Sequence, residues 1–256
     1  TKLPPWGWLA AFGLLQCSRQ WLIMVALDAG DGVAFKAFRA ALMCASFAAL
    51  LEFGRLGLER CGRHVPGRWV HLPLAVLAGL GALAGPAGFE AATRYALGLP
   101  GAIAAGAALW GASSRDGELR TGPARAAGFA FFVYALAAGF VVPRSPLLSS
   151  SIVNEQGFLA VFGMPIQGIR AACIAAAALG IRLALVSLRE GSGAGKRLRV
   201  PAIPVAIAAV LLGGFFVARW WQGCVETELR EGLLEQAKAV ARTVDPTLFR
   251  GLSFDA

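Results

Sequence analysis

Apolar residues run along this chain in blocks of roughly 20, the length that crosses a bilayer core, separated by short polar loops. The blocks fall at 6–27, 35–53, 69–84, 95–111, 124–142, 158–188 and 200–221. They predict about seven transmembrane helices. The third and fourth blocks are short and carry Pro73, Gly79, Gly81, Gly85, Pro86 and Pro100. Two arrangements fit them, a pair of crossings or a re-entrant pair, and the orientation of the other blocks is the same in both. Pro165, beside Gly163 and Gly168, predicts a kink in the sixth block. Small residues at helical spacing, such as Gly81 with Gly85, and the alanine-rich fifth and sixth blocks predict close helix packing.

From residue 222 the pattern changes. Val225, Leu229, Leu233, Ala237, Val240 and Val244 recur every three or four positions among charged residues, which puts them on one face of a helix. Asp245 and Pro246 then end that helix and start another, with Asp as N-cap and Pro at the first helical position. The predicted fold is therefore all-α: a polytopic transmembrane helical bundle over 1–221, and a C-terminal stem over 222–256 that opens a second domain. The final block and the stem together form a rod of roughly 65 Å if continuous. Such a rod can carry a small displacement, with its apolar face against a partner helix from a second copy of the chain. A second helix that has barely begun at Ala256, and Thr1 in place of an initiating Met, lead us to expect a piece of a longer polypeptide.

Composition agrees with a membrane protein: 57% of residues are hydrophobic, 15% are charged, and the mean hydropathy is +0.63. The formal charge of +9 would suit nucleic acid if it were clustered in a soluble domain, but it lies in loops between apolar blocks. Arg55, Arg60, Arg63 and Arg68 follow the second block, Arg115, Arg120 and Arg125 the fourth, and Arg189, Lys196, Arg197 and Arg199 the sixth. The alternate intervals hold Asp28 and Asp31, then Glu90 and Arg94, then Arg144 and Glu155. Eleven basic residues against two predict a cytoplasmic N-terminus and an extracytoplasmic stem. Trp6, Trp8, Trp69, Trp220 and Trp221 stand at block ends, where interfacial anchors belong. Of the five cysteines, Cys17, Cys44 and Cys173 lie within apolar blocks, Cys61 is in an arginine-rich loop, and Cys224 faces outside, so a disulfide framework is not expected. The first block has no small-residue cleavage site and is followed by further spans, unlike a removable signal peptide.

Charged residues inside the blocks are the candidate site. Arg19 lies two-thirds along the first block among Gln16, Ser18 and Gln20, and Arg170 with Gln167 lies near the middle of the sixth. A charge at that depth must be paired or hydrated, so both arginines face the bundle interior. Neither has an obvious partner in the sequence. Glu52 belongs at the other end of the second block and is expected to pair with Arg55, three residues on. Gln16, Arg19, Gln20, Gln167 and Arg170 read either as a pocket between the first and sixth spans for an anionic or polar ligand, or as a structural interhelical hydrogen-bond network.

Other chemistry is poorly served. Gly191 to Arg197 has glycines like a phosphate-binding loop, but the spacing is one residue short and Arg197 follows Lys196 where a hydroxyl should hold magnesium. His64 and His71, the two histidines, both sit at the edge of the spans, so an intramembrane haem pair and a histidine-activated serine are not expected. A zinc protease motif is absent, and the block 200–221 has no Lys for a retinal Schiff base. We expect no cofactor and no catalytic residue in this region.

Two stretches, Phe12 to Leu27 (FGLLQCSRQWLIMVAL) and Ser46 to Arg55 (SFAALLEFGR), resemble the membrane-embedded N-terminal sensor region of bacterial PAS-containing sensor histidine kinases. The stem run Ala239 to Pro246 is similar to the opening of the extracytoplasmic sensor domains of such receptors. In those relatives acidic residues stand at the positions of Gln20 and Ile23. The resemblance covers about the first quarter and the last tenth of the chain. It implies the signal-input region of a multi-pass inner-membrane receptor. A return span, PAS domains and an ATP-dependent autophosphorylating kinase would follow beyond Ala256, and a response regulator would be the downstream partner. A cyclic-dinucleotide enzyme is an equally compatible output. A small-solute transporter with a site around Arg170 is the reading from a different class. No internal repeat supports it, and a transporter has no need of the stem.

Overall fold

The structure is a computed structural model that describes residues 4–29, 32–114, 121–145, 154–190, 233–235 and 238. The chain divides into two units, Thr1–Lys196 and Arg197–Ala256. In the second, residues 233–235 and 238 are helical and Leu233 is exposed. The other predicted stem positions, Val225, Leu229, Ala237, Val240 and Val244, and the block 200–221 lie outside the described residues.

The first unit is helical, and the one β-type pairing among its described residues is the isolated bridge between Val142 and Asn154. Its long helices are α1 (Trp6–Ala29), α2 (Val33–Arg60), α5 (Leu99–Ser113), α6 (Thr121–Gly139) and α8 (Ile166–Glu190). Between α2 and α5 lie the short helices α3 (His71–Leu80) and α4 (Gly85–Thr93), and α7 (Glu155–Phe162) precedes α8. Neighbours pack in the order α1, α2, α5, α6, α8. Among the described residues four helical stretches, Trp6–Ala26, Val33–Arg60, Arg68–Ser113 and Ile166–Leu185, are long and apolar enough to cross a membrane.

The 46-residue stretch Arg68–Ser113 is not one rod. A 3-10 turn (Gly81–Ala84) ends α3, and Gly85 takes φ +80°, a left-handed conformation that glycine adopts without steric penalty. Pro86 then starts α4, where its missing N–H costs nothing. The chain thus doubles back, and Gly81 meets Gly88 so closely that a Cβ on Gly88 would lie 2.6 Å from the Gly81 carbonyl oxygen. The result is a helical hairpin, with α3 as one leg and residues 85–113 as the other. The interval holding Glu90 and Arg94, expected to be a loop, is helical and continues into the fourth block. A π segment (Arg94–Gly98) joins α4 to α5. Pro100 explains the widening: it has no N–H to offer Ala96, and its ring crowds that carbonyl.

Small residues set the helix spacing. A Cβ on Gly54 would lie 2.5 Å from that of Ala104, and one on Gly57 2.6 Å from that of Ala108, so α2 and α5 run side by side in the same direction. Gly106 meets the Gly128 carbonyl oxygen across the α5–α6 contact, 2.8 Å from where its Cβ would stand. Phe47, Phe53, Met43, Leu50, Leu109 and Phe131 fill the space between. The predicted kink near Pro165 is a full break, with α7 ending at Gly163 (φ +68°) and α8 beginning at Ile166.

Candidate functional site

The two intramembrane arginines do have partners. Arg19, buried on α1, donates from Nη2 to Oε1 of Glu90 on α4 at 2.8 Å. Arg94, buried at the first position of the π segment, donates to the same oxygen from Nη2 at 2.6 Å and from Nε at 3.2 Å. One carboxylate oxygen therefore serves two guanidinium groups. The Glu90–Arg94 half follows from helical spacing, since residues four apart share a face. The Arg19 half depends on the hairpin, whose turn at Gly85 puts α4 within reach of α1.

Arg170 lies near the start of α8, not its middle, because the break at 163–165 shortens the helix. Its Nη1 donates to Oε1 of Glu155 at 2.9 Å, its Nε to the carbonyl of Ala137 at 3.0 Å, and its Nη2 to the carbonyl of Val141. Ala137 is in the last turn of α6 and Val141 lies just past its end, where backbone acceptors lack helical donors and the helix dipole favours a cation. Glu155 is held in place by its own N–H, which donates to the Val142 carbonyl at 3.1 Å. Asn154 caps α7 by accepting from the Gly157 N–H at 2.8 Å.

These two groups form one electrostatic neighbourhood. The charge of Arg94 acts on both Arg19 and Arg170, and Arg170 acts on Glu90. Tyr134 of α6, 2% exposed, feels all three arginines. Its ring stands edge-on to Phe12 and Phe131, with centroids 6.2 and 6.5 Å away. Two polar contacts lie beside the cluster, Gln16 Oε1 with the Ser46 hydroxyl at 3.1 Å and Cys44 Sγ with the Thr93 hydroxyl at 3.7 Å.

Of the five candidates, Arg19 and Arg170 sit in the cluster, and Gln16 contacts Ser46. Gln167 is exposed and reaches Glu155 at 3.4 Å. Gln20 is exposed and belongs to no contact of the cluster. Sequence reasoning left out Glu90, Arg94, Tyr134 and Glu155 as site residues. The four-residue interval from Glu90 to Arg94 was the available signal for the first two.

At the opposite end of α2, Glu52 is buried and pairs with Arg55 as expected, through Nε to Oε2 at 2.7 Å and Nη2 to Oε1 at 2.8 Å. Arg68 Nε at 3.3 Å and His71 Nε2 at 3.7 Å also face this carboxylate, tying α2 to the base of the hairpin. Among the described residues no group of three or more His, Cys, Asp or Glu is gathered to hold a metal ion.

No family model matches the chain, and neither a curated protein nor a solved structure matches it.

Proposed function

We propose that this chain is the signal-input region of a bacterial transmembrane sensor, with a histidine kinase as its output. The observation that supports this best is the charged cluster of buried Arg19, Arg94 and Tyr134 with half-buried Glu90, Arg170 and Glu155. It joins α1, the hairpin, α6, α7 and α8 through charges that carry a large penalty if separated, so a change in one pairing must move helices. Intramembrane charge of this kind marks a functional site by default. The resemblance of 12–27, 46–55 and 239–246 to sensor-kinase input regions supplies the direction. In this reading about seven spans cross the inner membrane, the N-terminus is cytoplasmic, and the stem leads into an extracytoplasmic domain. The alternation of the described helices fits, since α2 and the second leg of the hairpin run in the same direction with α3 returning between them.

Two measurements test the reading. The open reading frame beyond Ala256 should encode a return span, a phosphoacceptor histidine and an ATP-binding module; diguanylate cyclase sequence there would instead favour the cyclic-dinucleotide output. In the full-length protein, Arg170→Met should abolish the response of autophosphorylation to stimulus. If that variant folds and responds like wild type, the cluster is not the input device. Crosslinking of cysteines at Leu229, Leu233 and Val240 should give contacts with a helical period between two copies.

The broken α7–α8 segment and the π segment beside the charged cluster are the observations that favour a small-solute transporter, because interrupted helices build midplane sites. Uptake of a solute by proteoliposomes, lost in Arg170→Met, would decide for it.

A further inference from the structure

The turn between α2 and α3 carries positive charge in a fixed shape. α2 ends at Gly62, which takes φ +67°, and the Arg63 N–H closes the end by donating to the Leu58 carbonyl at 3.1 Å. A single 3-10 turn (Arg68–Val70) then leads into α3, with His71 Nδ1 at 3.1 Å from the Arg68 carbonyl. Arg63 is exposed, and so is most of Arg68, whose side chain bonds from Nε to Glu52 Oε1 at 3.3 Å. That bond steadies the side chain and uses one of its five N–H groups. The two carboxylates at this end of α2, Glu52 and Glu59, both pair with Arg55. The outward charge of the turn is therefore cationic.

An apolar strip begins at the same place. Trp69, Leu72, Val76 and Leu80 recur every three or four residues through the 3-10 turn and α3, so they share one face, and all four are exposed. Ala78, on the other side of α3, is buried where α3 packs on α4. Arg68 stands four residues before Leu72, at the head of the strip. The indole of Trp69 lies against Gly67, where a Cβ would be 3.1 Å from ring Cδ1. At 1.5 Å per residue the strip runs roughly 16 Å, about half the hydrocarbon core, which is the depth of one acyl chain. Any bilayer lipid can cover an exposed apolar face; the arginines at its head are what distinguish this one. A headgroup bearing an ammonium would need a carboxylate as well, and the two nearby are taken by Arg55.

We propose that Arg68 and the strip from Trp69 to Leu80 form a site for one anionic phospholipid. Arg68 holds the phosphate, Arg63 adds its charge from the same turn, Trp69 lies at the level of the ester groups, and one acyl chain follows Leu72, Val76 and Leu80. The site rests on the membrane placement in the proposed function and not on the kinase output.

The test is native mass spectrometry of the chain released from nanodiscs of equal parts phosphatidylglycerol and phosphatidylcholine. Wild type should keep one phosphatidylglycerol under activation that strips phosphatidylcholine. Arg68→Gln should lower the ratio of lipid-bound to lipid-free protein roughly fivefold, whereas Arg68→Lys should stay within about twofold of wild type. Trp69→Ala removes an exposed ring and should weaken retention by at least as much as Arg68→Gln. Arg144→Gln makes the same change of charge at an exposed position outside the turn and should leave retention unchanged. The site is overturned if phosphatidylcholine is kept as well as phosphatidylglycerol, if Arg68→Gln retains lipid like wild type, or if Arg144→Gln loses it equally. Should Arg68→Gln fail to fold, Trp69→Ala decides alone. Retention is read on this chain without its output, so loss of the site leaves the sensor reading standing, and a transporter or cyclase identity leaves the site standing.

Discussion

Glu90 offers one carboxylate oxygen to guanidinium groups from two different helices, so its replacement strands two buried cations at once. Glu90→Gln should therefore destabilise the protein by about 3–5 kcal/mol, measured as the loss of unfolding free energy in detergent micelles. Glu52 provides a comparison. It also faces several cations, but Arg68 is 77% exposed and can turn to water when the carboxylate is gone. Glu52→Gln should cost less, about 1–3 kcal/mol; equal costs would mean that the exposure of the partner cations does not set the scale. Arg19 and Arg170 were legible in the sequence because a charge inside an apolar block stands out. Their partners were not. Glu90 and Arg94 lie among glycines and prolines that read as a loop, and Glu155 opens α7, one short helix ahead of the break that re-aims Arg170.

The hairpin shows how the same residue types act differently by position. Gly85 and Pro86 read as helix breakers, yet the first supplies a left-handed turn and the second opens a helix. Whether α3 and α4 cross separately or fold back on each other was open in the pattern, because both need glycine and proline. Close contact at Gly81 and Gly88 is a tertiary fact that periodicity does not carry. It yields a prediction of opposite signs. Gly88→Ala would drive a Cβ to 2.5 Å from that of Ala84 and should cost about 1–3 kcal/mol. Gly79→Ala, with nothing within 4 Å, should stabilise by up to about 1 kcal/mol through helix propensity. Thermal unfolding of the two variants beside wild type checks both; destabilisation of similar size in both would remove the hairpin contact as the cause.

Across the whole first unit, apolar side chains face outward as well as inward. Leu14 is 71% exposed, Trp21 66% and Leu83 87%, an exterior that suits acyl chains and not water. Spin labels at Leu14 and Leu83 in proteoliposomes should collide with oxygen far more than with a water-soluble nickel complex, whereas labels at Ala105, which is fully buried, should meet neither. Hydropathy made the membrane class legible, and it is least informative for α6. That 19-residue helix lies between α5 and α8, and it is built from Ala and Gly more than from Leu because close neighbours need room more than greasiness. The bond between Arg19 and Glu90 spans 71 positions of chain. At ribosomal speeds of about 5–20 residues per second, the arginine waits roughly 4–14 s for its counter-ion to be made. During that interval α1 carries an unmatched cation, so a chain stalled before Glu90 should insert α1 less completely than one stalled beyond α5, and glycosylation mapping of the two would show whether the hairpin latches the first helix into the bilayer.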